Sequence, residues 1–510
     1  MEIGFWKNAA QSPERIALIN VDGSRITAGE LYAESNRVVY GLRALGLKTG
    51  DTVAVSLHNE VAMLELSLAT AQAGFYFTPI NNNLTAREFD YIAKDSEARV
   101  LIVSGKAIET SRTLDFPSER RFSTEAAPGF RAYAELKKNQ PATLPVDRSV
   151  GLVMNYTSGT TGQPKGVRRS PPPISPDDVA ARYAQFLMLF GMQPGEGVHL
   201  VVSPLYHTAV LSFAFNHLHL GHTVALMDKW TPEGMLERVA RDCVTSSHMV
   251  PTQFNRLLQL PDEVKHRYDL SSLRHMVHSA APCPVEIKRK MLAWWGPVIY
   301  EYYAASEGGG TLVSPQEWLA HPGTVGRAWP TAEIRILSDA GSPCAPNEVG
   351  TVYIKMANYS FQYHKDQKKT ESAWRDGFFT VGDAGYLDQE GYLFLCDRKA
   401  DLIISGGVNI YPAEIEAVLI GHAKVSDVAV FGIPDDDWGE QVKAVIETKS
   451  GVVPSPALVE ELLGFCKCEL APHKCPRSID FTDAMPRDPS GKLYKRKLRD
   501  PYWQDRDRKI

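Results

Sequence analysis

Ten residues of the stretch YTSGTTGQPKGV, Thr157 to Gly166, hold four hydroxyl side chains, three glycines and one lysine. Glycine lets the backbone take positive φ and approach a ligand closely. Successive backbone N–H groups in such a turn form an anion-binding concavity. The hydroxyls of Thr157, Ser158, Thr160 and Thr161 add donors to it, and Lys165 adds a full charge. A polyphosphate suits that combination. A Walker-type loop is disfavoured, because it needs G-x-x-x-x-G-K followed by Ser or Thr, whereas Lys165 stands between Pro164 and Gly166. The apolar run Val150 to Met154 leads into the loop, which places it at a strand's carboxyl end, where open α/β sheets bind ligands. A plain Ser/Thr/Gly surface loop is the competing reading.

A second segment, IYEYYAASEGGG (Ile299 to Gly310), offers Tyr303 as an aromatic face that can stack on a purine. Its Glu307 carboxylate suits a hard cation that also bridges phosphates. Alone, such a pair is more often surface structure. Together with the first loop it points to a nucleotide site.

The stretch Tyr156 to Val167 matches, almost letter for letter, the phosphate-binding loop of the adenylate-forming enzymes. That superfamily contains acyl-CoA synthetases, adenylation domains of peptide synthetases and firefly-type luciferases. The chain resembles its acyl-CoA synthetases, in particular ligases of fatty acids and CoA. The resemblance implies that Thr157, Ser158, Gly159, Thr160, Thr161, Gly162 and Lys165 hold the β and γ phosphates of ATP. Glu307 then holds Mg2+, with Thr161 as a possible further ligand. The family's YGxTE motif corresponds to Tyr303, Ala304, Ala305, Ser306 and Glu307, so Ala304 replaces glycine and Ser306 replaces threonine while keeping the hydroxyl. Tyr302, and Ala280, Ala281 and Pro282 of HSAAPCP, join the expected nucleotide and acyl surroundings.

Further along, TVGDAGYLDQEGYLFLCDRKAD resembles the family's TGD and GR motifs, which makes Asp383 the ribose ligand and Arg398 its assistant. An ionised carboxylate can accept two charge-assisted hydrogen bonds from a cis-diol. The family's hinge residue falls two positions after that arginine. Here it is Ala400, followed by Asp401, so the polar role is either shifted or lost. Ser405, Gly406 and Gly407 of ISGGVNIYPAEIE, with Trp438, correspond to the CoA tunnel. A helix-capping turn and a packed tryptophan are the competing readings. In MPRDPSGKLYKRKLR, Lys492 corresponds to the family's C-terminal lysine, whose ammonium stabilises charge building on the α-phosphate in the transition state. His207, in SPLYHTA, matches the mouth of the acyl pocket and takes a gating or positioning role, since a carboxylate substrate is already ionised at neutral pH.

The elements that must position these residues follow from periodicity. A hairpin from Asp22, a helix Ala28 to Leu45 capped by Thr27, a strand Thr52 to Ser56, a helix Val61 to Ala73 and strands Phe75 to Ile80 and Val100 to Val103 indicate a largely parallel α/β sheet. Val198 to Val202, Thr223 to Met227 and Arg274 to His278 are further strands; Asn139 to Asp147 and Pro171 to Pro176 read as loops. Beyond Val325, Ala332 to Leu337, Gly350 to Ile354 and Gly391 to Leu395 suggest antiparallel β structure. A compact α+β unit follows: a helix Ile410 to His422, strands Val425 to Ile433 and Gln441 to Glu447, a helix Ala457 to Cys468, and a strand Ser478 to Phe481. The expected fold class is α/β, with a large domain over 1–397 that includes the β-rich part, a hinge at 398–401 and a small mobile α+β domain over 402–510.

At 510 residues the chain exceeds one core. A net charge of −5 argues against a nucleic-acid partner. The N-terminus lacks the apolar run of a signal peptide, and Asn216, His217, His219 and His222 interrupt Ala209 to Met227, so no membrane span is expected. Seven scattered cysteines fit reduced thiols and a cytoplasmic setting, as a monomer or homodimer. Cys466, Cys468, His473 and Cys475, and separately His217, His219 and His222, lack zinc spacing and are read as packing.

The expected reaction is attack of a carboxylate on Mg–ATP to give acyl-AMP and pyrophosphate, then displacement of AMP by CoA. The acid is expected to be fatty or bulky and alicyclic, of bile-acid or steroid type. Phe186, Leu187, Phe213, Phe215 and Met276 line its pocket or belong to the core. The alternatives are a ligase that loads a carrier protein, a luciferase-like oxygenase, or an inactive nucleotide-binding scaffold.

Overall fold

The computed structural model describes residues 2–157, 164–195, 197–398, 401–487 and 493–504. The chain forms two compact units: one of residues 1–249, 259–277 and 358–372, the other of 250–258, 278–357 and 373–510.

The first unit is built on parallel sheets. Thr52–Ser56 is central in one, flanked by Tyr76–Pro79 and Ala98–Val103, with Leu152–Val153, Arg121–Ser123 and Arg131–Ala132 outside them. Helix Ala28–Ala44 begins at Thr27, whose hydroxyl accepts the Glu30 N–H at 3.2 Å while Glu30 accepts the Thr27 N–H at 2.8 Å. This reciprocal capping satisfies donors that the first turn leaves orphaned. Helix Val61–Ala73 carries apolar residues all round and is buried nearly throughout, as such a helix must be. A second sheet orders Ser246–Met249, Val198–Val201, Thr223–Leu226 and Ile16–Ile19 in parallel, closed by the hairpin to Arg25–Thr27. The α/β class follows.

Some boundaries differ from expectation, for local reasons. The apolar run before the phosphate loop is two short strands, Leu152–Val153 in the parallel sheet and Asn155–Thr157 in a separate antiparallel one. Pro176 begins a helix, Pro176–Met188, rather than ending a loop. Its fixed φ suits the first turn, and Ser175 caps it by accepting the Asp178 N–H at 3.1 Å. Likewise Ile410 ends a strand, Val408–Ile410, and Pro412 opens the helix Pro412–Ile420. The Asp388 carboxylate accepts the N–H groups of Glu390 and Tyr392, so the turn runs on and the next strand is Leu393–Arg398.

His217 and His222 pack as one polar chain in the buried interior of the first unit. His222 Nε2 lies 2.7 Å from the Gln193 carbonyl and therefore carries a proton, which leaves His222 Nδ1 to accept from His217 Nδ1 at 2.9 Å. His217 Nε2 must then accept from Ser246 Oγ at 3.3 Å, and Ser246 Oγ accepts from His199 Nδ1 at 3.0 Å. His219 is spent elsewhere, with its Nδ1 accepting the Phe5 N–H at 3.0 Å. Neutral imidazoles in one fixed tautomer series satisfy every bond, and burial holds these side chains below the ordinary histidine pKa.

In the second unit, Ile299–Ala305, Gly308–Val313 and Arg327–Ala328 form an antiparallel ribbon. Ala332–Leu337, Gly350–Met356, Phe378–Phe379, Asp383–Leu387 and Leu393–Arg398 form an antiparallel sheet. The C-terminal α+β part pairs Val425–Asp435 with Gly439–Thr448, adds Ser478–Phe481 in parallel, and packs helices Pro412–Ile420 and Pro456–Glu469 over an aliphatic core. Cys466 and Cys475 belong to that core while Cys468 is exposed, so the three thiols do not face one point. Among the described residues no helix is long and apolar enough to cross a membrane.

Candidate active site

In the first unit Thr157 lies directly opposite Lys165. Strands Asn155–Thr157 and Lys165–Arg168 are antiparallel with Lys165↔Thr157, Gly166↔Tyr156 and Val167↔Asn155 in register. The two strands are therefore the arms of a hairpin. Ser158, Gly159, Thr160, Thr161 and Gly162 lie outside the described residues. One arm is fixed from below: Tyr156 donates its hydroxyl to Asp95 Oδ2 at 2.6 Å, and burial together with that carboxylate keeps the phenol protonated. Lys165 forms an ion pair with Asp366. His207 occupies the N-cap of helix Thr208–Leu220, packs against the Tyr206 ring at 4.4 Å, and its carbonyl accepts the Leu211 N–H.

In the second unit three of the expected nucleotide residues converge. Tyr303 donates its hydroxyl to Asp383 Oδ2 at 2.6 Å, and Arg398 Nε stands 3.4 Å from Asp383 Oδ1. The strand pairing Asp383↔Arg398 brings acid and guanidinium together. Burial and the adjacent carboxylate hold the Tyr303 phenol far above its usual range, so it remains a donor at any physiological pH. The hairpin after Tyr303 is irregular: Tyr303 pairs with Thr311, but Ala304 pairs with Gly309 and Ala305 with Gly308. That irregularity sets Ser306 and Glu307 at the turn, with Glu307 only 7% exposed. Gly309 is obligatory here, since a Cβ would come within 1.7 Å of the Trp329 ring.

Behind this ribbon lies a cluster that sequence reasoning missed. Lys288 Nζ and Glu301 Oε2 are 2.6 Å apart, both buried, with His278 Nε2 3.3 Å from the same oxygen and the Trp318 ring 4.7 Å from the ammonium. Burial alone would raise the Glu301 pKa, but Lys288 and His278 bring it down to about 2. The cluster ties strand Ile299–Ala305 to helix Val285–Trp295 and to the start of the segment holding Ala280, Ala281 and Pro282. Ala280 itself adopts φ +72°, a costly conformation for a residue with a Cβ. Ser279 hydrogen-bonds the Tyr302 hydroxyl, which burial pushes up to about 12. The available signal was an acid inside the otherwise apolar, aromatic run IYEYYAA. Asp366 was missed as well, because 201 residues separate it from Lys165.

The expected CoA residues also meet. Gly406 has φ +58°, donates its N–H to the Trp438 carbonyl at 2.8 Å, and would place a Cβ 2.4 Å from the Trp438 ring. Ser405 pairs with Gly439, Gly407 has φ +79° with open space beside it, and Trp438 is 48% exposed with the Arg477 guanidinium 5.0 Å from its ring. Lys492, and Ala400 of the expected hinge, lie outside the described residues. On either side of Lys492 the chain is anchored, by Arg487 to Asp427 at 2.5 and 2.7 Å and by Lys495 to Glu416 at 2.8 Å. Of the five apolar candidates, Leu187, Phe213 and Met276 are fully buried core, and Phe186 and Phe215 are half-buried.

The family model for AMP-binding enzymes matches residues 5–364, and that for the AMP-binding enzyme C-terminal domain matches 414–492. The chain belongs to the AMP-binding enzyme family. Feruloyl-CoA synthase of an Amycolatopsis species is 33% identical over 501 residues, covering 98% of each chain. Long-chain-fatty-acid–CoA ligase of Mycobacterium tuberculosis is 32% identical over 489 residues, covering 94% of this chain and 93% of that one. Among solved structures, o-succinylbenzoate CoA synthetase from Bacillus subtilis, in complex with its acyl-adenylate intermediate, superposes with a TM-score of 0.80 at 27% identity, covering 100% and 99% of the two chains. The chain is thus an adenylate-forming, AMP-forming acid–thiol ligase of acyl-CoA synthetase type, with a small-molecule carboxylic acid, ATP and CoA as substrates.

Proposed function

We propose that this ligase activates a fatty or bulky alicyclic acid, of bile-acid or steroid type, in two half-reactions carried by the residues named above. In the first, the acid's carboxylate oxygen attacks the α-phosphorus, and pyrophosphate leaves. Lys165, opposite Thr157 on its hairpin, neutralises the β and γ phosphates. Asp383, oriented by Tyr303 and Arg398, accepts both ribose hydroxyls. Tyr302, Tyr303, Ala304 and Ser306 form the adenine side, and Ala280, Ala281 and Pro282 lie where nucleotide and acyl group meet. Lys492 supplies the compact positive charge that stabilises the equatorial oxygens. Glu307 fits Mg2+, a hard ion that needs one or two carboxylates and takes its remaining ligands from phosphates and water. Bound there, the ion would neutralise phosphate charge.

In the second half-reaction the CoA sulfur, having lost its proton to solvent, attacks the acyl carbonyl carbon; the C–S bond forms, the acyl C–O bond breaks, and AMP departs with the bonding pair. Ser405, Gly406, Gly407 and Trp438 line the pantetheine path, delivered by movement of a small domain over 402–510 about a hinge at 398–401. His207 gates the acyl entrance. The observation that carries this reading is the Tyr303–Asp383–Arg398 cluster, which presents a pre-oriented carboxylate to a diol.

The acid is the finer question. Phe186 is partly exposed and packs edge-on against Phe213, which supports an aromatic side to an apolar acyl pocket. A panel including long-chain fatty acids, a bile acid, ferulate and succinylbenzoate, assayed for CoA-dependent AMP release, tests it. The fatty or bile acids should give the highest kcat/KM. Preference for ferulate or succinylbenzoate would overturn this substrate class and leave the ligase chemistry intact. AMP release with a carrier protein in place of CoA would redirect the acceptor.

A further inference from the structure

Lys165 and Asp366 meet through backbone register. Val167 and Arg168 pair with Tyr363 and Gln362, and the His364 N–H extends that ladder to the Gly166 carbonyl at 2.7 Å. The chain then turns into helix Gln367–Ala373. Thr370 locks the turn, donating its hydroxyl to the Asp366 carbonyl at 2.8 Å and accepting the Tyr363 N–H at 2.9 Å. Asp366 Oδ1 accepts the Lys369 N–H at 3.0 Å, and Oδ2 takes the Lys165 ammonium. The two side chains keep 23% and 28% exposure, so a ligand can reach both. The hydrogen bond from Lys165 is the main reason the Asp366 carboxyl is held below its ordinary range, followed by the Lys369 N–H.

We propose that Asp366 is a built-in competitor of the phosphates: it holds the Lys165 ammonium until a polyphosphate displaces it, and retakes it as pyrophosphate leaves. This rests on reading Lys165 as the phosphate clamp. A carboxylate and a phosphate oxygen are acceptors for the same ammonium, and both being anionic they repel each other. A partly exposed ion pair is weak, so a multiply charged ligand wins at an affinity cost of about two- to fivefold. The enzyme gains at the other end of the step. Pyrophosphate departs from an ammonium that has a replacement partner already in place, since the Lys369 N–H holds the Asp366 carboxylate independently of Lys165.

The test is calorimetric titration of ATP and of inorganic pyrophosphate into the full chain and three variants. Asp366→Asn keeps the Oδ1 acceptor for the Lys369 N–H and removes only the charge, so folding is preserved. Both ligands should bind about two- to fivefold tighter to it. Lys165→Met should weaken both, and adding Asp366→Asn to Lys165→Met should change nothing further. Unchanged or weaker binding to Asp366→Asn, with Lys165→Met weakened, overturns the proposal alone. So does tightening that persists without Lys165, which would be a general field effect. If Lys165→Met binds both ligands like the parent, the phosphate reading itself fails and the proposal with it.

Discussion

Asp383 shows how a strand register orients a carboxylate proposed to bind ribose. Its partner Arg398 arrives by cross-strand pairing and Tyr303 from a different hairpin, so an ion pair and a hydrogen bond together orient the carboxylate. The acid is 9% exposed, which leaves its free lone pairs a narrow range of approach. Hydrogen bonds to a charged group are worth about 1.5–3 kcal/mol, so Asp383→Asn should raise the KM for ATP by roughly ten- to a hundredfold. Steady-state kinetics with ATP varied at saturating acid and CoA checks this, and an unchanged ATP dependence removes Asp383 from the nucleotide site. Tyr303→Phe should act in the same direction and more weakly, because Arg398 still holds the other oxygen. The phenol does not titrate near neutrality, so the Tyr303→Phe effect should not vary between pH 6 and 9.

Elements of the first unit carry the histidine chain, and its consequence is a pH dependence of stability rather than of chemistry. His199, His217, His219 and His222 are buried, and desolvation is the leading cause that lowers each pKa, His219 to about 3. Their unfolded values are near 6.5. Because the folded values are depressed, the native state is favoured fully above that pH and loses ground as pH falls below it, when only the unfolded chain takes up protons. Each buried histidine contributes about 1.4 kcal/mol per pH unit in that window. Unfolding at pH 5.5 should therefore bind several protons, measurable by calorimetry in two buffers of different ionisation heat; uptake near zero would contradict the tautomer series. The same elements show what the sequence discloses. Thr52–Ser56, Val61–Ala73, Ala332–Leu337 and Ser478–Phe481 appear where periodicity and flanking turns place them, since each is a local pattern. Tyr303, Asp383, Arg398 and the Gly406–Trp438 pair were legible as motifs. Asp366, Lys288 and Glu301 were not, because what they do depends on strand and helix neighbours that spacing along the chain does not encode.

At the scale of the whole molecule the proposed cycle makes one segment serve two steps, and two single substitutions should separate them. In that cycle Lys492 is assigned to the moment when the α-phosphate carries developing charge, so Lys492→Ala should abolish ATP–pyrophosphate exchange yet leave thioester formation from supplied acyl-AMP. The proposed cycle assigns Gly406 to the other step. Its φ of +58° is strained for any residue with a Cβ, and that Cβ would sit 2.4 Å from a ring carbon of Trp438. Relief requires the tryptophan or the loop to move, because the Gly406 N–H is also bonded to the Trp438 carbonyl. Gly406→Ala should therefore slow thioester formation at least tenfold, the size of a barrier change of about 1.4 kcal/mol, and spare exchange. Gly407→Ala shares the positive φ but meets open space, so it isolates backbone strain from the tryptophan clash and should be milder. The two half-reactions measured separately on each variant decide the matter. Loss of both half-reactions in Lys492→Ala and Gly406→Ala alike would mean that the segment holds the fold rather than dividing the chemistry.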